Sequence, residues 1–332
     1  MRAAVCRSYG PPEGVRVENE PSPALGAGQV RVQVGAAAVN FPDVLIVANE
    51  YQIKVPTPFV PGSEFAGVVA EVGDGVDGVA VADRVSGTGL IGAFAEEVVA
   101  AATALTPIPA GVDDRHAAAF GVAHRTAYHV LCSVARLQPG ENLIVLGAGG
   151  GVGLAAVQLG VLLGASVTAV ASSREKLDVA ASYGARHLVD HRSTELRAAL
   201  RDCLPEGADV VVDPVGGDLA EPALRALRYG GRFVTVGYAS GTIPRIPLNL
   251  VLLKGVQILG FEFLAFATHN TAELQRNEAE LLAMLAGGRV VPHIGATFAL
   301  DDVAAALRCV ADGRAIGKVV VDVAGGPQVR RP

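Results

Sequence analysis

Two apolar runs, 143–146 and 167–171, flank a cluster of glycines and a long aliphatic segment. No charged residue occurs from Asn142 to Ser173, a stretch long enough to span a bilayer, which needs roughly 20 apolar residues. Five glycines within 147–153 interrupt any single helix, however, and no basic cluster flanks the stretch. The pattern therefore predicts a buried strand, a tight glycine turn, a helix and a second buried strand, which together form a βαβ unit.

The alternation of strands and helices continues to about residue 261. Strands are predicted at 142–147, 166–171, 186–190, 208–213, 231–237 and 256–261, and helices near 151–163, 174–182, 193–202, 218–228 and 247–253. This spacing is typical of a doubly wound parallel sheet, whose ligand lies beyond the carboxyl ends of its strands. Candidate cofactor-binding residues at two of those ends are Val215, Val236, Gly237 and Tyr238.

Residues 1 to about 115 show a different pattern, of short strands such as 15–17, 29–34 and 67–72. Proline- and glycine-rich joints between them fix turns and disfavour helices, so we expect an all-β region. A helical segment at 113–134 leads into the βαβ unit. Beyond residue 261 we expect helices at 271–286 and 301–311, strands at 290–291, 296–300 and 317–323, and a frayed end at 330–332.

Composition narrows the class of protein. The chain has 332 residues, of which only 18% are charged and 40 are glycine, as expected for buried strands and tight turns. A net charge of −6 argues against a nucleic-acid-binding surface. Four widely separated cysteines indicate reduced thiols, and the N-terminus lacks the apolar core of a signal peptide. We therefore expect a cytoplasmic protein with no membrane-spanning segment.

The glycine cluster carries the clearest chemical signal. Its spacing, Gly147-x-x-Gly150-x-x-Gly153, is one residue longer than the common dinucleotide fingerprint. Glycine lets the backbone approach a pyrophosphate closely, and the following helix N-terminus offers free N–H groups and a partial positive charge. A tight turn without a ligand is the alternative interpretation. The predicted phosphate-binding residues are Gly149, Gly150, Gly151 and Val152.

The end of the second strand bears on the choice between NAD and NADP. An NAD site usually carries Asp or Glu about 20 residues after the glycines. This chain has Ser172, Ser173, Arg174 and Lys176 there, whose hydroxyls and positive charges suit a 2′-phosphate. Ser172 also has capping-box spacing to Glu175, and the two roles are compatible. We therefore predict NADPH as the cofactor.

The histidines are less informative. His191 follows the third predicted strand, where it either contacts the adenosine or is an ordinary surface residue. The others show neither metal-ligand spacing nor a paired base, which favours structural roles. They are His116, His124, His129, His187, His269 and His293.

Further motifs establish a resemblance to a known family. In chain order they are 39–43, 51–52, 58–69, 71–75, 83–85, 126–128, 150–153 and 317–318. Over nearly its whole length the chain resembles the zinc-independent quinone oxidoreductases of the medium-chain dehydrogenase/reductase superfamily. The resemblance implies an α/β fold in which a Rossmann doubly wound parallel sheet binds NADPH, at 119–264. It also implies a GroES-like, mainly β catalytic domain at 1–118, completed by 265–332, a cofactor in the cleft between the domains, and a homodimer.

The absence of zinc is expected from particular residues. Zinc-dependent relatives carry a cysteine near Asn40 and a histidine at the Ser63 position, whereas an amide and a hydroxyl are poor ligands for catalytic zinc. The four-cysteine structural lobe is also missing, because 83–85 runs almost directly into 92–96. No metal is therefore expected.

Without zinc, hydrogen-bond donors must polarise a substrate carbonyl. By resemblance, Asn40 and Tyr51 line the nicotinamide and substrate site as catalytic residues, and Thr126 contacts the cofactor. Tyr51 either donates its phenolic proton to a developing oxyanion or is a packed loop aromatic. Asp43 is interpreted as a carboxylate that supports the fold, and Glu64 is compatible with either role.

The sequence indicates a class of substrate but not a particular compound. Phe261, Phe263 and Phe266 either wall an apolar pocket or belong to the core. The sequence favours an NADPH-dependent reductase of quinones or other conjugated carbonyl compounds. An enoyl or acryloyl thioester reductase and a crystallin-like or redox-sensing NADPH-binding protein with little turnover remain as alternatives. By resemblance, dimerisation is expected through the strand near 255–259.

Overall fold

Short strands dominate the first part of the chain. In order, the elements are β1 (Arg2–Cys6), β2 (Val15–Asn19), β3 (Gln29–Val39), α1 (Phe41–Val47), β4 (Glu64–Val72), β5 (Arg84–Thr88), β6 (Glu97–Ala101), β7 (Leu105–Pro107) and α2 (Asp114–His129). The computed structural model describes residues 1–324. Within that range, no helix is both long and apolar enough to cross a membrane. The predicted frayed end at 330–332 lies outside the described residues.

Strands and helices alternate in the middle of the chain, after a π-helical turn at Val130–Val134. They are β8 (Asn142–Leu146), α3 (Gly151–Leu162), β9 (Ser166–Ala171), α4 (Arg174–Ser182), β10 (His187–Asp190), α5 (Leu196–Cys203), β11 (Ala208–Asp213), α6 (Ala220–Arg225), β12 (Leu227–Thr235), α7 (Leu248–Lys254), β13 (Gln257–Gly260), α8 (Phe263–His269) and α9 (Thr271–Ala286). The last elements are β14 (Ile294–Ala299), α10 (Val303–Ala311) and β15 (Lys318–Asp322). The strand predicted at 290–291 is absent from this described region, and α8 was not predicted.

The described elements form two units: Met1–Val122 together with the described residues from Val291 to Ala324, and Ala123–Val290. The return to the first unit thus lies at 290/291, later than the 264/265 boundary predicted from the sequence. The boundary lies later because α9 is hydrogen-bonded to the end of α2 and to the π-helical turn that follows it, both in the second unit. Its Asn277 donates to Ser133 Oγ at 2.8 Å, and its Glu278 lies 3.0 Å from the His129 ring.

The first unit is built around β3, an 11-residue strand that pairs antiparallel with β4, β6 and β15. The sheet order is β14-β15-β3-β4-β5-β7, and β1 and β2 form a separate pair. Alternate residues of β3, such as Val30, Val32 and Val34, are buried because their side chains share one face of the strand. The C-terminal strand β15 is therefore integral to this sheet.

Helix α1 corrects the prediction that proline-rich joints keep helices out of the first 115 residues. Pro42 lies in its first turn, where no intrahelical N–H bond is needed and proline is tolerated. The carboxylate of Asp43 accepts a hydrogen bond from the N–H of Asn40 at 2.7 Å and so secures the start of the helix.

The second unit contains a parallel sheet of order β10-β9-β8-β11-β12-β13. The chain runs outward in one direction from β8 and then in the other from β11, so the topological switch point lies between these two strands. Their aliphatic residues are fully buried, which explains the unbroken apolar runs in the sequence. The predicted strands and helices of this unit coincide with observed elements, with differences of a few residues at their ends.

Candidate active site

The glycine turn joins β8 to α3 in a compact backbone loop. Gly147 has a φ of +61°, which favours glycine, and the N–H of Gly150 donates to its carbonyl at 2.9 Å. A Cβ atom on Gly153 would overlap the Gly147 carbonyl, so the helix packs directly against the turn. No side chain among the described residues caps α3 at Gly150. Its first N–H groups are therefore available to an anion.

Lys176 links this turn to the end of β9. Its side-chain stem covers Gly149, where a Cβ atom would lie only 2.5–2.8 Å from the Lys176 methylenes. Its Nζ lies 3.3 Å from Ser172 Oγ. Ser173 is the cap of α4 and accepts from the Lys176 N–H at 3.4 Å, so the capping role suggested for Ser172 belongs to its neighbour. The Ser172 hydroxyl and the ammonium group therefore stand together at the strand end.

Arg174 differs from Lys176 in its surroundings. Its side chain is 80% exposed, and its Nε donates to Asp178 Oδ1 at 2.7 Å, one helical turn along α4. An exposed pair of this kind contributes little energy and can open easily. Any contact of Arg174 with a phosphate must therefore compete with Asp178.

His191 lies beside the same strand end. Its N–H donates to the carbonyl of Ala171 at 3.2 Å, which places the third strand end next to the second. Burial, together with the charge of Arg192, lowers the pKa of the ring. The neutral imidazole is therefore favoured near pH 7.

Asp213 organises the loop at the switch point, although the sequence did not single it out. Its Oδ1 accepts from the N–H groups of Val215 and Gly216 at 2.9 and 2.8 Å, and burial raises its pKa. The Val215 side chain lies against Gly147, and the Tyr238 ring lies against Gly216. A buried carboxylate at a strand end, followed by Pro-Val-Gly-Gly, is the signal that could have identified it.

The remaining residues predicted here are also near this point. The N–H of Val236 donates to the carbonyl of Asp213 at 2.8 Å, and Gly237 follows directly. The glycine turn, Val215, Val236, Gly237 and Tyr238 therefore meet at the carboxyl ends of adjacent strands. Thr126 lies on α2 as a partly exposed residue of the second unit.

The first unit contains a cluster of polar side chains that are buried except for Ser63, which is partly exposed. Its members are Asn40, Asp43, Ser63, Glu64 and Lys318. Lys318 Nζ lies 2.5 Å from Asn40 Oδ1 and 3.1 Å from Glu64 Oε2, and both charged side chains are buried. Asn40 Nδ2 donates to Glu64 Oε2 at 3.0 Å and to Ser63 Oγ at 3.3 Å. Lys318 thus neutralises Glu64 and fixes the Asn40 amide.

Tyr51 follows α1 in a loop. Its N–H donates to the Leu45 carbonyl at 3.2 Å, and its partly buried ring packs against the apolar core of the first unit.

Phe261, Phe263 and Phe266 surround the buried ring of His129, with centroid distances of 6.3, 5.9 and 4.8 Å. The Arg125 guanidinium lies 4.5 Å above the Phe263 ring. This packing gives the aromatic residues a structural role within the second unit.

No group of three or more His, Cys, Asp or Glu side chains in residues 1–324 is arranged to hold a metal ion. The four cysteines all lie within these residues and form no disulfide.

Known proteins share both units. Residues 26–110 match the alcohol dehydrogenase GroES-like domain, and residues 151–283 match the model described as zinc-binding dehydrogenase. The quinone oxidoreductase-like protein 2 homolog of Nematostella vectensis is 36% identical over 326 residues, covering 97% of this chain and 88% of that protein.

Two solved structures extend the similarity. The quinone oxidoreductase of Thermus thermophilus, whose structure was also solved with NADPH, is 32% identical with a TM-score of 0.83. A mycobacterial protein complexed with NADPH is 28% identical with a TM-score of 0.90. Each alignment covers 97% of this chain and 100% of the other.

The GroES-like and Rossmann sheets in one chain define the class, a medium-chain dehydrogenase/reductase. The chain belongs to the quinone oxidoreductase family of this oxidoreductase superfamily. The family and the fold class predicted from the sequence are thereby confirmed.

Proposed function

We propose that this protein is an NADPH-dependent reductase of quinones or other conjugated carbonyl compounds. The observation that carries the proposal is the position of Lys176, with its stem on Gly149 and its ammonium beside Ser172. A positive charge and a hydroxyl at a strand end without a carboxylate suit a 2′-phosphate and not a free ribose diol. The NADPH found in two similar structures supports this cofactor.

Different groups of residues bind different parts of the cofactor. The glycine turn, 149–152, and the free N–H groups of α3 receive the pyrophosphate. Lys176, Ser172 and Ser173 hold the 2′-phosphate, with Arg174 as a weaker contributor, while His191 borders the adenosine. Val215, Val236, Gly237, Tyr238 and Thr126 contact the rest of the dinucleotide. When bound, NADPH supplies hydride to the substrate.

The substrate oxygen is stabilised by hydrogen bonds from protein side chains. Tyr51 is a proposed donor, and Asn40 acts through its fixed place in the polar cluster. No zinc is required, because the residues at the two expected ligand positions, Asn40 and Ser63, bond to each other at 3.3 Å. Turnover should therefore persist after exhaustive treatment with a chelator and in protein shown by elemental analysis to lack zinc.

The direct test is NADPH oxidation by the purified protein with 1,4-benzoquinone, cyclohex-2-enone and crotonyl-CoA as separate substrates. Turnover of the quinone or the enone supports the proposal. Turnover of the thioester alone would instead assign an enoyl thioester reductase. Tight NADPH binding without turnover of any of the three would indicate a binding protein.

We also propose a cytoplasmic homodimer. Strand β13 forms an edge of the parallel sheet, and Leu252 and Leu253 of α7 are 81% and 75% exposed near it in sequence. In a monomer, the unpaired N–H and C=O groups of an edge strand and the nearby exposed leucines would favour aggregation. Pairing with a second copy of the chain would cover both. A two-fold axis at the edge would pair β13 antiparallel with its symmetry mate.

A further inference from the structure

The polar cluster of the first unit determines which hydrogen-bond donor it can offer to a substrate. Asn40, Asp43, Glu64 and Lys318 are buried, whereas Ser63 is partly exposed. Ser63 is therefore the member of this cluster that a molecule from outside can reach.

Lys318 fixes the orientation of the Asn40 amide. The three hydrogens of the ammonium group face Asn40 Oδ1 at 2.5 Å, Glu64 Oε2 at 3.1 Å and the Val39 carbonyl at 3.5 Å. A flipped amide would place its NH₂ group against the ammonium, which is repulsive. Oδ1 of Asn40 must therefore remain the atom that faces Lys318.

The amide hydrogens of Asn40 are consequently committed. One is directed to Glu64 Oε2 at 3.0 Å, and the other has Ser63 Oγ at 3.3 Å as its nearer acceptor and the Ala38 carbonyl at 3.5 Å as the more distant one. Asn40 has no third amide hydrogen for a substrate. Glu64 is held in turn, because its Oε1 accepts from the Val122 N–H at 2.7 Å.

Ser63 Oγ is therefore an acceptor from Asn40, and its own hydrogen must be directed elsewhere. The backbone around it is also fixed, since its carbonyl accepts from the Gly89 N–H at 2.9 Å. This hydroxyl hydrogen faces the carboxyl group of Asp43, but the contact is longer than an ordinary hydrogen bond, because Asp43 Oδ1 has no hydrogen-bond partner within residues 1–324. The hydroxyl hydrogen can thus turn toward an acceptor that arrives from outside the cluster.

We propose that Ser63 donates a hydrogen bond to the oxygen of the substrate carbonyl, and that Lys318 acts through Asn40 as the positioning residue for this hydroxyl. This role rests on the reductase function proposed above. Ser63 stabilises negative charge on that oxygen as hydride arrives at the substrate. Lys318 contributes to this stabilisation indirectly, because it holds the Asn40 amide in the orientation that donates a hydrogen bond to Ser63. Asn40 is then also a positioning residue.

A vibrational measurement tests the hydrogen bond without turnover. Cyclohex-2-enone labelled with ¹³C at the carbonyl is added to the full-length protein saturated with NADP⁺, and the carbonyl stretch is recorded by infrared difference spectroscopy. A donated hydrogen bond lowers the stretching frequency. We expect Ser63→Ala to raise it toward the value in an apolar solvent, Ser63→Thr to restore it, and the exposed control Ser22→Ala to leave it unchanged.

The role of Lys318 needs a variant that avoids an unpaired buried charge. Lys318→Met combined with Glu64→Gln removes both charges together. We expect this pair to raise the carbonyl frequency as Ser63→Ala does, and to cause no further rise when combined with it. In turnover assays, each change should lower kcat by about 100-fold, the order seen when one oxyanion donor is removed. Combining them should again add little.

Three outcomes would overturn the proposal: an unchanged carbonyl band in Ser63→Ala, additive effects of the two changes, or no binding of the enone. A protein that shifts the carbonyl band through Ser63 but turns over no quinone or enone would instead refute the proposed function alone.

Discussion

Lys176 shows how a single side chain connects two parts of the cofactor site, with its stem on Gly149 and its ammonium at Ser172. We expect Lys176→Ala to weaken NADPH binding about 10- to 100-fold, as for a lost charged hydrogen bond of about 1.5–3 kcal/mol, and to change NADH binding little. Arg174→Ala should have a smaller effect, because Asp178 already holds Arg174. Fluorescence titration with both nucleotides measures these constants.

Lys54→Ala is a suitable control, since this exposed lysine donates to the Asn49 carbonyl in the first unit. Equal losses for NADPH and NADH in Lys176→Ala would show that Lys176 supports the turn and does not select the cofactor.

Asp43 gives a prediction about pH and stability. Burial raises its pKa to about 7, although the hydrogen bond from the Asn40 N–H, the nearby Ser63 hydroxyl and the charge of Lys318 oppose the rise. An unfolded aspartate ionises near 3.9, so between these values the folded protein holds a proton that the unfolded chain releases. This contribution to stability is complete below pH ~3.9 and is lost as the pH rises to about 7, by up to ~1.4 kcal/mol per pH unit.

Asp43→Asn should remove that dependence, because an amide does not titrate. Urea unfolding at several pH values between 4 and 8 should show the variant gaining stability relative to the native protein as the pH rises. Parallel curves for the two proteins would contradict this assignment.

At the scale of elements, the junction of β8, the glycine turn and α3 is local in sequence and was predicted closely. The predicted strand 142–147 and helix 151–163 are observed at 142–146 and 151–162. Apolar runs and clustered glycines encode this junction directly, since each interaction lies within a few residues. By contrast, α1 was missed because proline was taken only as a helix breaker.

The close packing at this junction predicts that adding one methyl group at Gly153 destabilises the protein. Gly153→Ala would place a Cβ atom against the Gly147 carbonyl and push α3 away from the turn. We expect a loss of about 1–3 kcal/mol in the free energy of unfolding, as for other overpacked sites, together with weaker NADPH binding. Urea denaturation and nucleotide titration measure both. Gly14→Ala, whose Cβ would meet open space, is the matched control, and equal stability of the two variants would contradict the prediction.

At the scale of the whole molecule, the edge strand and its exposed leucines predict the oligomeric state. The native protein should have the mass of a dimer in size-exclusion chromatography with light scattering. Leu252→Asp with Leu253→Asp should convert it to a monomer, because two carboxylates would be buried at the interface. Val81→Asp, at a 60% exposed valine of the first unit, should remain dimeric. A monomeric native protein, or a dimeric leucine variant, would exclude this interface.

The sequence by itself determined the βαβ unit, the alternation of strands and helices along the second unit, the glycine turn and the residues at the end of β9. These features depend on neighbours along the chain, so hydrophobic periodicity and short motifs encode them. It also placed Asn40, Ser63 and Lys318 within family motifs, but it gave Lys318 no role.

Tertiary structure decided how those residues combine. Lys318 lies 278 positions from Asn40 and 254 from Glu64, and the three meet only because β15 pairs with β3 and β3 with β4. Likewise, the stem of Lys176 reaches Gly149 because β8 and β9 are adjacent. No local pattern encodes such contacts, since they arise from strand pairing between distant segments. The predicted residues became a site with defined donors and acceptors only through that pairing.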